Sequence, residues 1–541
     1  MLVKMKIVAC FCKKLEHFCN FFRNKVSCFH KYCICTTRSF LRVLVFQIHP
    51  FWVQLAYFVT LSLAGHVALR VSNPRPGSLR PASLDIFFTS VSSVSVSSMS
   101  TVEMEVFSNT QLIIITILML LGGEVLTSIL GFHLSSIKFS KPETSKESRV
   151  SSVCQNPPKH STFPGLEIEK PANIVDVECN INSLDNYDHS LIKSKSIKCL
   201  ARVALGYFSV VHITGSSLVA MYTSLVPSAR QVLSRKGIKI QTFSVLTTVS
   251  TFSNCGFVPT NENMAAFRKN SGLLLILIPQ ILLGNTLYPS CLRFLIWVLE
   301  KITRKVEFRY ILMNSREMGY GHLLSFSHSC LLAVTVLGFI LVEFIIFCSM
   351  EWSSGALDGL NPNQKLIGAL FQVVNSRHTG ESVVDLSIIS PAILVLFVVM
   401  MYLPPYTSFM PLKQQVISET GQKCKNRRKS LVQCLLFSPL SILVIFVILI
   451  CVSEREKLKK DPLNFNVLNI TIEVISAYGN VGFSTGYSCK RQVEPDSSCK
   501  DAWFGFVGRW SNMGKLILIL VMFFGRLKKF SINGGKAWKL S

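Results

Sequence analysis

Four short stretches of this chain carry residues that could strip water from a cation. They are Val96-Ser97-Ser98-Met99-Ser100-Thr101, Asn254-Cys255-Gly256-Phe257, His378-Thr379-Gly380-Glu381 and Asn480-Val481-Gly482-Phe483-Ser484-Thr485. Each follows a run of about a dozen apolar and hydroxyl residues, and each precedes a long apolar helical pattern. A cation crossing a membrane loses part of its hydration shell, and backbone carbonyls replace it where the strand turns them inward. Glycine permits that conformation and that close approach. Gly256, Gly380 and Gly482 sit where such a strand would begin. We read the four stretches as quarter-copies of one ion-selectivity filter. Any single glycine is more simply explained by helix packing; four stretches at matched positions favour the filter.

The first stretch has Ser98 where the others have glycine. A Cβ and a hydroxyl narrow the ring and limit its backbone. A larger ion needing the full set of carbonyls suffers more than a smaller one, which favours Na⁺ over K⁺. Acidic residues lie just beyond the filters: Glu103, Glu105, Glu262, Glu381 and Asp385. They are expected to draw cations to the pore mouth; the alternative is solvated loop residues.

A second group bears on the path below the filter. Arg526 lies eleven residues after Lys515, so about 16 Å deeper on a continuous helix. A charge near mid-membrane is costly and usually functional. Register puts Glu124 at the equivalent place in the first repeat. Either Arg526 faces the pore and is partly balanced by Glu124, or it snorkels with Lys528 and Lys529 to the cytosolic surface. In the third repeat Pro404 and Pro405 remove two backbone donors and break the helix, which is tolerable where the backbone faces a water-filled cavity.

The elements that must position these residues follow from hydropathy. Full apolar spans are expected over about 48–71, 110–134, 202–226, 272–299, 325–349, 387–411, 431–452 and 514–531. Half-length stretches over about 84–96, 240–253, 363–377 and 464–477 cover only half a bilayer and read as re-entrant helices. The order is span, half-helix, filter, span, four times over. The expected fold is therefore an all-α membrane protein. It has four membrane-pore-membrane repeats, with eight transmembrane helices and four re-entrant pore helices around a pseudo-fourfold pore. The division is a basic cytosolic tail (1–47), repeat A (48–137), a cytosolic, flexible linker (138–198), repeat B (199–300), a cytosolic linker (301–324), repeat C (325–412), a basic cytosolic loop (413–430), and repeat D with a cytosolic C-terminus (431–541).

The bulk numbers agree. The 541 residues are 49% hydrophobic and 16% charged, unlike a soluble chain of this size. The formal net charge of +26 would suggest nucleic acid in a soluble protein. Here the basic residues fall largely in connections and mark the cytosolic side, so no nucleic-acid partner is expected. Six of the 18 cysteines lie in the first 35 residues. That end reads as cytosolic and reduced, and the spacing of Cys28, His30, Cys33 and Cys35 matches no common zinc site. Cys489 and Cys499 lie in a polar insert on the expected outer side, where a disulfide could form. Asn469-Ile470-Thr471 is a glycosylation sequon, but it falls within the fourth half-helix, so no glycan is expected. An enzyme would need a nucleophile and base, or metal ligands, converging at one depth; His49 and His212 are isolated. No cofactor is expected beyond the transported ion.

Further motifs complete a likeness. They are Gln47-Ile48-His49-Pro50-Phe51-Trp52, the run 97–111, Phe252-Ser253-Asn254-Cys255-Gly256-Phe257, Met318-Gly319-Tyr320, Asn375-Ser376-Arg377-His378-Thr379-Gly380-Glu381 and Ala477-Tyr478-Gly479-Asn480-Val481-Gly482-Phe483. Over about residues 45–540 the chain resembles the plant high-affinity potassium transporters (HKT) of the Trk/Ktr superfamily. The resemblance implies one pseudo-fourfold pore per subunit, a homodimer in the lipid bilayer, and both termini in the cytosol. It also implies that serine at the first filter position marks sodium-selective members. Ser98 with Gly256, Gly380 and Gly482 gives that Ser-Gly-Gly-Gly pattern. Such members usually sit in the plasma membrane and retrieve Na⁺ from the xylem stream. The competing expectation is a potassium-sodium symporter of the same family. The third-repeat break, 402–406, resembles the superfamily's intramembrane gate.

Overall fold

The computed structural model describes residues 50–78, 80–138, 175–284, 286–377, 379–404, 406, 439–493 and 499–531. The tail over 1–49, the basic loop 413–430, Pro405, His378 and the Cys28–Cys35 group lie outside them. The described residues from Phe58 onward belong to one compact unit; of the other, the first turns of the first helix are described.

Among the described residues there is no strand. Repeat A runs through α1 (Pro50–Val71), α2 (Ser83–Ser95), α3 (Asn109–Gly122) and α4 (Glu124–Lys138). Repeat B has α5 (Val175–Leu225), the short α6 (Pro227–Arg235), α7 (Ile240–Ser253), α8 (Ser271–Gly284) and α9 (Tyr288–Thr303), followed by the connector α10 (Val306–Met313). Repeat C has α11 (Phe326–Glu351), α12 (Pro362–Arg377) and α13 (Pro391–Tyr402). Repeat D has α14 (Pro439–Ser453), the short α15 (Arg455–Lys460), α16 (Val467–Gly479) and α17 (Asn512–Ser531).

Within α1, α5 and α11 lie stretches long and apolar enough to cross a bilayer unaided; the α3–α4 and α8–α9 pairs qualify when each is taken as one broken span. α13 and α14 are shorter apolar helices. α17 spans 20 residues and carries Lys515, Arg526, Lys528 and Lys529. α5 starts at Val175, so a helix occupies the end of the segment expected to be a flexible linker.

The expected half-helices are α2, α7, α12 and α16, of 13, 14, 16 and 13 residues. α2 and α7 are rich in buried Ser and Thr, and hydroxyls there bond back to the preceding turn: Ser93 donates to Thr89 O at 2.7 Å and Thr251 to Thr247 O at 2.6 Å. These two hydroxyls are thus satisfied without water. α2, α7 and α16 stop because the next residue turns left-handed, at Val96, Asn254 and Asn480 (φ 60°, 57° and 52°).

The repeats close in a circle. The inner helix of each packs on its own pore helix and on that of the next repeat: α3 on α7, α8 on α12, α13 on α16, and α17 back on α2. Each seam has its own apolar core. Leu112, Ile115 and Met119 meet Leu246 and Val249; Leu274 and Leu277 meet Phe371 and Val374. Phe397 and Met401 meet Ile472; Val521 and Met522 meet Phe88 and Val91. In lipid these seams are held by dispersion and close backbone approach rather than by water exclusion. A methyl group built on Gly122, Gly284 or Gly525 would lie 2.0, 1.9 and 2.0 Å from the carbonyl oxygens of Val94, Phe252 and Tyr478. Those three glycines let each inner helix seat on the end of its own pore helix.

Two inner helices expected to be continuous are broken. α3 and α4 meet at 57° across Gly123, and α8 gives way to α9 between Gly284 and Tyr288. α13 ends at Tyr402 as the prolines require, and only α17 runs on through the matching glycine.

Candidate ion selectivity site

The four pore helices end at one place. Ser98, Gly256, Gly380 and Gly482 all open onto a single outer cavity. Their φ angles are +48°, +97°, +74° and +100°, in the region that favours glycine; Ser98 adopts it despite its Cβ. A methyl group built on Gly256 would lie 1.9 Å from Thr379 O, and one on Gly380 1.9 Å from Val481 O. One on Gly482 would lie 1.9 Å from Ser98 Oγ and 2.9 Å from Ser97 O. Ser98 Oγ would also lie 2.9 Å from a methyl group built on Gly256. Each of the four strands therefore abuts the next, and the Ser98 hydroxyl occupies space between its neighbours.

The pore helices also orient the strands. Ser97 N donates to Ser92 O and Cys255 N to Ser250 O, both at 2.8 Å; Val481 N donates to Ser476 O at 3.0 Å and Gly380 N to Asn375 O at 3.1 Å. One residue further on, Gly256 N donates to Ser250 Oγ and Gly482 N to Ser476 Oγ, both at 3.0 Å, and Glu381 N to Asn375 Oδ1 at 3.2 Å. In a trans peptide the carbonyl points opposite its N–H. Amides tied back to the helix therefore turn the Cys255 and Val481 carbonyls the other way, toward the axis. The helix C-termini bring their negative dipole ends to the same point. The sequence reading missed Ser250 and Ser476; a hydroxyl residue six positions before the filter residue, also seen in Ser92, was the signal.

The acids divide. Glu262 and Asp385 line the cavity, joined by Asp501 from the polar insert, which the sequence did not single out. Glu105 is engaged: Lys236 Nζ lies 2.6 Å from its Oε1 and 2.5 Å from Glu262 Oε2. Glu103 accepts from Asn261 Nδ2 at 3.1 Å and from Trp503 N at 3.2 Å, fastening the insert to repeat A. Glu381 is not at the mouth. It is fully buried behind the filter, because its strand turns the side chain toward α7. Cys489 and Cys499 form a disulfide, and Asn469 is buried with its Nδ2 donating to Asn464 O at 2.8 Å.

Arg526 does not snorkel. It is 2% exposed, its Nη2 donates to Gly122 O, and its guanidinium lies 5.6 Å from the Phe58 ring. The break at Gly123 frees the last carbonyls of α3, and a cation is favoured at that helix end. Glu124, first residue of α4, is buried at the same break. Pro404 O accepts from Arg377 Nη2 at 2.9 Å. His212 is a half-buried packing residue, its Nδ1 2.8 Å from Phe208 O and its ring against Phe252.

The TrkH family model, described as a cation transport protein, matches residues 188–533. The sodium transporter HKT1 of Arabidopsis thaliana is 53% identical over 480 residues, 87% of this chain and 92% of that one. The cation transporter HKT1;3 of Oryza sativa subsp. japonica is 49% identical over 528 residues, 98% of each chain. The crystal structure of the potassium transporter TrkH from Vibrio parahaemolyticus aligns with a TM-score of 0.48 and 13% identity, over 89% of this chain and 83% of that one. A ring of four repeats around one cavity, with HKT likeness along nearly the whole length, makes this chain a member of the HKT branch of the TrkH family and a membrane cation transporter rather than an enzyme.

Proposed function

We propose that the chain is a Na⁺-selective transporter with channel-like, passive permeation, and that Ser98, Gly256, Gly380 and Gly482 are its filter. The observation that carries this is the Ser98 hydroxyl, wedged between the Gly482 and Gly256 strands. Three quadrants offer bare backbone; the fourth adds bulk to the ring. K⁺ needs a wider ring of carbonyls than Na⁺, so the wedge costs it more. A relative 53% identical is named a sodium transporter, which supports the same reading. Glu262 and Asp385 draw cations to the mouth, with Glu103 and Glu105 shaping it. Below the filter, Arg526, Glu124 and the Pro404–Pro405 break form a constriction. The protein acts in the plasma membrane as a homodimer with cytosolic termini, and retrieves Na⁺ from the xylem to protect shoots under salt.

Two-electrode current recording in Na⁺ and K⁺ baths tests this. Wild-type currents should reverse with the Na⁺ gradient, and Ser98→Gly should gain K⁺ permeability. Strong K⁺ current in the wild type would sink the reading.

A further inference from the structure

Three repeats place a bulky apolar residue directly after the filter position: Met99, Phe257 and Phe483, each 2% exposed or less. Repeat C places Glu381 there, fully buried. Gly380 and Ser382 on either side line the outer cavity, whereas Glu381 does not. Its Oε1 lies 3.0 Å from Thr251 Oγ1, in the last turn of α7 in the neighbouring repeat. Among the described residues Thr251 is the carboxyl's one hydrogen-bond partner, and Oε2 is buried with none.

Counting protons fixes the charge. The Thr251 hydroxyl has one hydrogen, and its oxygen lies 2.6 Å from Thr247 O, the shorter of its two contacts. That carbonyl can only accept. With the hydrogen directed there, the Thr251 oxygen faces Glu381 with lone pairs, and the contact holds only when the carboxyl supplies the proton. An ionised carboxylate in the same place would also be buried against a lone pair, at far greater cost than one hydrogen bond.

We propose that Glu381 is a positioning residue of the filter. As a neutral acid it donates to Thr251, braces the repeat C strand against the repeat B pore helix, and so fixes the ring width that discriminates Na⁺ from K⁺. It adds no charge to the path. Phe257 and Phe483 support their strands by packing, and Met99 adds only the weak contact its sulfur accepts from Ser476 Oγ at 3.8 Å; the brace gives repeat C a stronger directional tie across a seam.

This rests on reading the four stretches as the filter, but not on which ion the wild type prefers. The test measures reversal potentials of the full chain in Na⁺ and K⁺ baths, with surface protein quantified. Glu381→Gln, which keeps a donor and removes the acid, should retain the wild-type permeability ratio. Glu381→Ala and Thr251→Val should each change that ratio about threefold or more, the scale of one lost hydrogen bond, and the double variant should change it no further. A Glu381→Gln variant that shifts as far as Glu381→Ala would overturn the neutral brace, because charge would then be the active property. Unchanged ratios in both Glu381→Ala and Thr251→Val would overturn the brace itself. If Glu381→Ala does not reach the surface, Thr251→Val, which exchanges a hydroxyl for a methyl, decides. A wild-type ratio near one would instead sink the sodium reading and leave this comparison standing.

Discussion

Lys515 Nζ lies 2.7 Å from Asp85 Oδ1, joining residues 430 positions apart in the chain. Lys515 is in the first turn of α17 and Asp85 in the first turn of α2, where the helix N-terminus also favours a carboxylate. Eleven residues further along α17, Arg526 grips the Gly122 carbonyl. The last described helix is thus fastened to the first repeat at two depths, and the ring closes at this seam. The Lys515 and Asp85 side chains are 10% and 17% exposed, so removing one leaves a charge that water barely reaches. Lys515→Gln and Asp85→Asn are each expected to cost about 3 kcal/mol, and the exchange of the two residues should recover part of it. Thermal unfolding of detergent-solubilised protein measures this. Midpoints unchanged in both single variants would show that the clasp does not hold the seam.

The glycines of the inner helices make a sharper contrast. Gly525→Ala or Gly284→Ala would push a methyl group to within 2.0 Å of a pore-helix carbonyl, so the helix must back away from the filter. Overpacking of this kind costs about 1–3 kcal/mol, and the variants should lose surface expression and current. Gly206, mid-way along α5, has open space at the same point. Gly206→Ala should be tolerated or gain about 0.5–1 kcal/mol from helix propensity. Equal loss in both sites would mean that close seating is not what these glycines provide.

Much of this arrangement was legible in the amino-acid sequence, for a physical reason. Hydropathy and length separate full spans from half-helices, and the proposed filter residues recur where the half-helices end. The pore helix expected over about 240–253 matches α7, Ile240–Ser253, because its boundaries are set by local signals, a left-handed glycine (Gly237) shortly before and a left-handed asparagine after. What was hidden depends on neighbours that only the closed ring supplies. Arg526 could be read as snorkelling until the freed carbonyl of Gly122 gave it a partner. Glu381 read as a mouth acid because it follows a filter glycine; its burial depends on Thr251 of another repeat. The break at Gly123 has two adjacent glycines as its trace, whereas the single Gly525 leaves α17 intact.

The outer mouth carries a counter-charge that limits its pull on cations. Lys236 reaches both Glu105 and Glu262, from the loop ahead of α7, and its backbone carbonyl accepts from Arg75 at 2.7 Å. Burial alone would lower the Lys236 ammonium; hydrogen bonds and charge from the two carboxylates outweigh it and leave it above its ordinary value. A raised lysine holds its full contribution below the unfolded value of about 10.4 and loses it only as pH rises through the higher folded one. The bridge should therefore be intact throughout the neutral and mildly alkaline range, and titration of Lys236 should leave currents unchanged there. Lys236→Gln leaves two carboxylates uncompensated beside the cavity. Cation currents should then rise relative to wild type in about 10 mM salt, where the screening length is about 30 Å, and converge with wild type near 1 M, where it is about 3 Å. Recording both proteins across that range, normalised to surface protein, measures the effect. A ratio of currents that does not vary with salt would mean that the two carboxylates act on the fold of the loop and not on the ions above it.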